Sequence, residues 1–209
     1  MDLEWNEPLS SARRNRALQG DIIEIGAVKT DENMREIDTF FRMIQPSQYK
    51  KITKRITSIT TVKDEDVMTG ISFEEAVKDF KEWCGDDCIW LTWSNSDEKM
   101  LRNNLAFYGL DDDWIPYVLD AQLMFDEVEM GDGRCYPLNY TFFYFDIKPE
   151  ASHNALNDSI NTAEVIRRID YKEWIEEEIE YLKRLESAEF AEDDEIYIDD
   201  APEDTYEEE

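Results

Sequence analysis

The chain is 209 residues long and 42% hydrophobic, enough apolar material for one sizeable core and not comfortably for two. Against 22 Lys and Arg stand 51 Asp and Glu, a formal charge of -29, which argues against a basic nucleic-acid-coating or membrane-surface protein because the bulk field repels phosphate. Any contact with nucleic acid has to be local.

The first six residues hold the acidic pair Asp2-Leu3-Glu4, followed by Trp5. No basic segment with an apolar stretch behind it opens the chain, and no apolar run approaches the ~18 residues of a membrane span. Glu7 to Gly20, with Pro8, Arg13, Arg14 and Arg16, reads as a polar loop. Asp21 to Lys29 is a β-rich run, Asp31-Glu32-Asn33 is turn chemistry, and Arg35 to Ile44 alternates, so the three predict a hairpin of antiparallel strands. Ser72, with Glu75 three residues on, caps a helix whose Phe73, Ala76, Val77, Phe80 and Cys84 recur at helical spacing. Cys88 to Trp93 is a compact apolar strand, Ser94 to Asp97 supplies turn and cap residues, and Met100, Leu101, Leu105 and Tyr108 mark a helix ending at Gly109. Tyr117 to Leu119 reads as a short strand, Pro137 to Phe145 as an aromatic helix, Asn154 to Ile169 as a longer helix, and Tyr171 to Leu185 as the last.

Residues 186–209 carry thirteen acids and no Lys or Arg, leaving 38 acids against 22 bases, or -16, before them. The expected organisation is one domain over residues 1–187 and an acidic tail over 188–209, kept disordered by self-repulsion and lack of core material. Cys84, Cys88 and Cys135 are an odd set that fits free thiols in a reducing cytoplasm. Cys84 and Cys88 lack a second cysteine pair and read as structural thiols rather than zinc ligands. Hairpin, helix, strand, helix, helix is an α/β pattern.

Three acidic or histidine features stand out against this background. Two carboxylates at i and i+2 on a strand project from one face, so Asp2 and Glu4 can reach the same hard divalent cation. Asp97 sits at a strand-to-helix turn, where alone it reads as a helix cap. His153, the single histidine, lies five residues before Asp158 at the start of a helix, and alone reads as a surface residue.

Taken in order, D-x-E at 2–4, Asp97 after an apolar strand and turn, and H-x4-D at 153–158 resemble the DEDDh exonucleases. Ile22-Ile23-Glu24-Ile25-Gly26-Ala27-Val28, Leu91-Thr92-Trp93 and Ser152-His153-Asn154-Ala155-Leu156-Asn157-Asp158 extend the likeness. It is greatest toward small bacterial exonucleases related to eukaryotic three-prime histone-mRNA and small-RNA exonucleases. The resemblance implies a ribonuclease H-like fold, a mixed central sheet flanked by helices. It implies that Asp2, Glu4, Asp97 and Asp158 hold two divalent cations, Mg2+ or Mn2+, about 3.5 to 4 Å apart, with His153 as general base. The implied reaction is 3′–5′ hydrolysis of single-stranded RNA or DNA to nucleoside 5′-monophosphates. Trp5 and Trp93 are placed either to stack terminal bases or to pack in the core, and Arg13, Arg14, Arg16, Lys50, Lys51, Lys54 and Arg55 either to follow backbone phosphates or to form solvated charged loops. In the family several apolar residues precede the D-x-E on a central strand, whereas here only Met1 does. The expectation is either a start set too far downstream or a shortened strand with Asp2 and Glu4 badly held. The alternative function is then a catalytically impaired binding or regulatory module of the same fold.

Overall fold

The computed structural model describes residues 1–8, 15, 17–151 and 153–196. Its strands are β1 (Asp2–Asn6), β2 (Asp21–Thr30), β3 (Glu36–Met43), β4 (Trp90–Thr92) and β5 (Val118–Asp120). Its helices are α1 (Lys54–Thr60), α2 (Asp64–Val67), α3 (Phe73–Cys84), α4 (Ser96–Tyr108), α5 (Ala121–Phe125), α6 (Leu138–Tyr144), α7 (Ala155–Ile166) and α8 (Tyr171–Ile196), with a π-helical turn, Asp126–Met130, extending α5. Met1–Tyr171 and Lys172–Glu209 are separate compact units. Among the described residues no helix is long and apolar enough to cross a membrane.

The predicted hairpin is β2 and β3, antiparallel from Glu24 opposite Met43 to Thr30 opposite Glu36. Its turn is held by the Asp31 carboxylate, which accepts from the amides of Asn33 and Arg35 at 2.9 and 3.0 Å. β1 pairs antiparallel with the other edge of β2, and β4 and β5 form a parallel pair. The amino group of Met1 donates to the Leu91 carbonyl of β4 at 2.7 Å, bringing the two ladders together. The five residues of β1 are paired along their whole length, so Asp2 and Glu4 are held on a strand and not left on a frayed end. The ten-residue β2 supplies the template.

β2 is buried from Asp21 through Ala27, with β1 and β3 on its edges. A bulge opposite Glu4 and Trp5 breaks its alternation. Ile22 and Ile25, three residues apart, therefore share one apolar cluster with Leu3, Phe40, Phe80 and Trp90, while Ile23 packs with Ile52, Ile56 and Val67. Phe73, Ala76, Val77, Phe80 and Cys84 are the buried stripe of α3, and the Ser72 hydroxyl accepts from the Glu75 amide at 3.2 Å, as the periodicity predicts. Fully burying a side chain the size of Phe80 stabilises the fold by about 1.5 to 3 kcal/mol.

Four short or irregular elements carry no sequence period: α1, α2, α5 and its π-helical turn. α1 is set by tertiary contact, since the buried Asn6 side chain donates to the Tyr49 and Lys51 carbonyls and accepts from Thr53 N–H. The last helix does not stop near Leu185 but runs to Ile196, past the expected boundary at 188. Ala and Glu, frequent over that stretch, are strong helix formers. Residues 197–209, like Arg13, Arg14 and Arg16, lie outside the described residues.

Candidate active site

Three elements converge above β1. On that strand Leu3 is buried in the core, so Asp2 and Glu4, its neighbours on either side, face the opposite way. Asp97 comes from the first turn of α4, delivered there by β4 and the turn at Ser94, whose φ of 88° is left-handed. Asp158 comes from the first turn of α7, capped by the Asn154 side chain, which accepts from Asn157 N–H.

Asp97 is not the cap of its helix. It is 5% exposed and accepts a hydrogen bond from the Leu3 amide at 2.9 Å, tying α4 to β1 between the two strand carboxylates. Asp158 is buried and accepts from the backbone N–H of His153 at 2.7 Å and from the Asn161 amide at 3.4 Å. His153 lies outside α7 in a left-handed conformation, φ 63°, with its side chain exposed. A turn closed by the Asp158 carboxylate, and not helical register, therefore brings the histidine and the aspartate together. Each of Glu4, His153 and Asp158 offers one ligand atom within 4.8 Å of the others.

The carboxylates act strongly on one another. Burial pushes the Asp2 carboxyl well above the usual range, and the negative charges of Asp97, Glu4 and Asp158 push it further. Glu4 is pushed up to about 8, first by burial and then by Glu24, Asp158 and Asp97. Burial also raises Asp97, to about 6, with the Leu3 N–H and the Met1 ammonium opposing it. A group of buried oxygen donors that resists ionisation in the absence of compensating charge is what a hard divalent cation would stabilise. The residues thus fit a divalent cation, and among the described residues Glu4, His153 and Asp158 lie within reach of a single ion.

Glu24 is the acid that sequence reasoning missed as part of this neighbourhood. It is the register partner of Glu4, is 2% exposed, and accepts from Asn154 Nδ2 and Ala155 N–H, both at 3.1 Å. Burial raises its carboxyl while those two donors oppose the rise. The available signal was a lone acid inside the apolar strand Ile22-Ile23-Glu24-Ile25.

The two tryptophans are only partly buried. Trp5 leans on the core beside Gly20, whose position a Cβ would place 2.7 Å from the indole. Trp93 donates its indole N–H to the Tyr136 carbonyl at 3.1 Å and lies 6.2 Å from the Phe125 ring. Of the second basic group, Arg55 is paired with Glu7 at 2.7 Å, and Lys50 lines a cavity with Ser47, Asp64 and Tyr108 whose lining includes none of Asp2, Glu4, Asp97 and Asp158.

The model of an exonuclease family, RNase_T, matches residues 15–166. That stretch contains Asp97, His153 and Asp158 and begins after Asp2 and Glu4, whose place rests on the geometry above. The probable 3′-5′ exonuclease KapD of Bacillus subtilis (strain 168) is 25% identical over 159 residues, covering 75% of this chain and 77% of KapD. The PolC-type DNA polymerase III of the same organism is 25% identical over 174 residues, 81% of this chain but 11% of the polymerase. Among solved structures, the nuclease domain of 3′hExo, a DEDDh family member bound to rAMP, superposes with a TM-score of 0.66 at 18% identity, over 80% of this chain and 88% of that one. Cell-death related nuclease 4 (CRN-4) gives 0.64 at 16% identity, over 79% of this chain and 61% of its own. The fold is ribonuclease H-like, a mixed α/β architecture shared with these nucleases.

Proposed function

The chain belongs to the RNase_T exonuclease family, and from that premise we propose that it is a metal-dependent 3′–5′ exonuclease that releases nucleoside 5′-monophosphates from single-stranded RNA or DNA. The observation that carries the reading is the convergence of Asp2, Glu4, Asp97 and Asp158 from three separate elements, with His153 beside Glu4 and Asp158. The four carboxylates would hold two divalent cations, Mg2+ or Mn2+, which when bound supply neutralisation of the scissile phosphate and acidification of the attacking water.

His153, exposed at the mouth of the site, takes the proton of that water as general base. The water oxygen bonds to phosphorus, the bond from phosphorus to the 3′ oxygen breaks, and that oxygen collects a proton from solvent. The products are a 5′-monophosphate and a strand one nucleotide shorter. The left-handed turn and the bond from His153 N–H to Asp158 fix where the imidazole starts. Partly buried Trp5 and Trp93 offer ring faces for the terminal bases, a contact of about 1 to 3 kcal/mol per base that reads no sequence. An acidic surface keeps long polyanions off the rest of the molecule, so binding is confined to the strand end.

The test uses end-labelled single-stranded oligonucleotides. The expected result is stepwise shortening from the 3′ end with magnesium or manganese, none in EDTA, and loss of at least about 10³-fold in Asp97→Ala and Asp158→Ala proteins that remain folded. Internal cleavage, activity in EDTA, or wild-type turnover in both variants would overturn it.

A further inference from the structure

We infer that Glu24 is a positioning residue of the exonuclease site: its buried carboxylate clasps the first turn of α7 and so sets His153 and Asp158 at their working height over Glu4. The inference rests on the exonuclease reading above and adds a residue to it.

A carboxylate buried in the middle of a strand is costly unless it is hydrogen-bonded. Glu24 is 2% exposed between Ile23 and Ile25, where an apolar residue would pack at no such cost. Its partners are both on the start of α7: Ala155 N–H, one of the amides a helix leaves without an internal acceptor, and the Asn154 side chain. Asn154 already caps the helix through its own oxygen. The second acceptor therefore does something the cap does not: it fastens the helix end to β2.

Two further contacts act at the same place. Gly26 lies two residues along β2, and a Cβ there would come within 2.1 Å of Ala155 C and Leu156 N, so α7 sits directly on the strand backbone. The Ser159 hydroxyl donates to the Gly26 carbonyl at 2.8 Å. The residue before the clasped Asn154 is His153, whose own amide is held by Asp158. Glu4 is the cross-strand partner of Glu24 and Asp2 that of Gly26. The strand pair that carries Asp2 and Glu4 thus also sets the seat of the helix that carries Asp158, and a misplacement of about 1 Å in such an assembly can cost about 10²-fold in rate.

The experiment compares wild type, Glu24→Ala, Glu24→Gln and Gly26→Ala in the full chain, at saturating manganese on a single-stranded oligonucleotide, together with amide hydrogen exchange of the metal-free proteins. Glutamine keeps an acceptor oxygen where the two donors point; alanine keeps none. Glu24→Ala should lower kcat by about 10²-fold with KM within about threefold, and speed exchange at Ala155 by about tenfold or more without changing β3. Glu24→Gln should recover kcat to within about threefold of wild type and restore the slow exchange. Gly26→Ala, which forces α7 off the strand while keeping Glu24, should lower kcat like Glu24→Ala. Should Glu24→Ala not fold, the rate of Glu24→Gln and the exchange in Gly26→Ala decide. A Glu24→Gln protein with an Ala-like loss of turnover, or Glu24→Ala with wild-type kcat, would overturn the inference. A wild-type protein without turnover would instead overturn the exonuclease reading and the catalytic half of the inference, while exchange would still report whether Glu24 holds α7.

Discussion

Glu4 gives the most direct measure of the repulsion stored in the site. Its carboxyl rises from 4.5 to about 8, with burial the largest cause and Glu24, Asp158 and Asp97 adding to it. A raised acid means that the folded chain binds this proton more tightly than the unfolded chain. The associated stability is therefore fully present below pH 4.5 and is lost as pH rises through about 8. Between pH 6 and pH 9 the loss amounts to about 3 kcal/mol, or about 6 to 12 °C in Tm for a domain of this size. Asp97, pushed up to about 6, adds a smaller loss at the lower end. The Met1 ammonium, held below its usual range by burial, works in the opposite direction. It does so equally when Glu4 is replaced, so the difference between wild type and Glu4→Gln reports the glutamate together with its push on Asp2. Thermal unfolding in EDTA at several pH values from 6 to 9 should show the wild type declining more steeply than Glu4→Gln, in which the raised Asp2 and Asp97 still titrate. Saturating magnesium should flatten the wild-type decline, because cations bind the ionised carboxylates. Parallel pH profiles for the two proteins in EDTA would refute the argument.

His153→Ala should lower kcat by about 10² to 10⁴-fold while manganese affinity, measured by calorimetry, changes by less than about threefold; a matching loss of metal affinity would make the imidazole a ligand with Glu4 and Asp158 instead of the base. Removing residues 188–209 should strengthen binding of a single-stranded oligonucleotide at low salt, since residues 186–209 hold thirteen acids and no base, and the gain should vanish as ionic strength rises; unchanged affinity at low salt would show that the acidic segment does not compete with phosphate.

The sequence by itself determined every element that buries a periodic face. The hairpin, α3, α4, α6 and α7 follow from apolar spacing and from end signals such as Ser72, Asn154 and Gly109, because those interactions are local and each residue type has one physical reason to be there. It also singled out Asp2, Glu4, Asp97, His153 and Asp158 as the candidate site, since their order along the chain can be matched to a family pattern without coordinates. What it could not determine was anything fixed by residues far apart. α1 and α2 lack a period and follow from Asn6 and from the packing of Ile23 on Ile56 and Val67. That Asp97 bonds the Leu3 amide, 94 residues away in the chain, turns a plausible helix cap into a strut between α4 and β1. That Asp2 and Glu4 are held on a paired strand depends on the ten-residue β2 beside them and on the Leu91 carbonyl that accepts from the Met1 amino group. Glu24 reads in the sequence as one acid in an apolar strand; its 131-residue reach to Ala155 exists only once β2 and α7 are packed. Local signals name the groups, and only the tertiary packing, which buries them together in low dielectric, decides how strongly they repel and where the histidine stands among them.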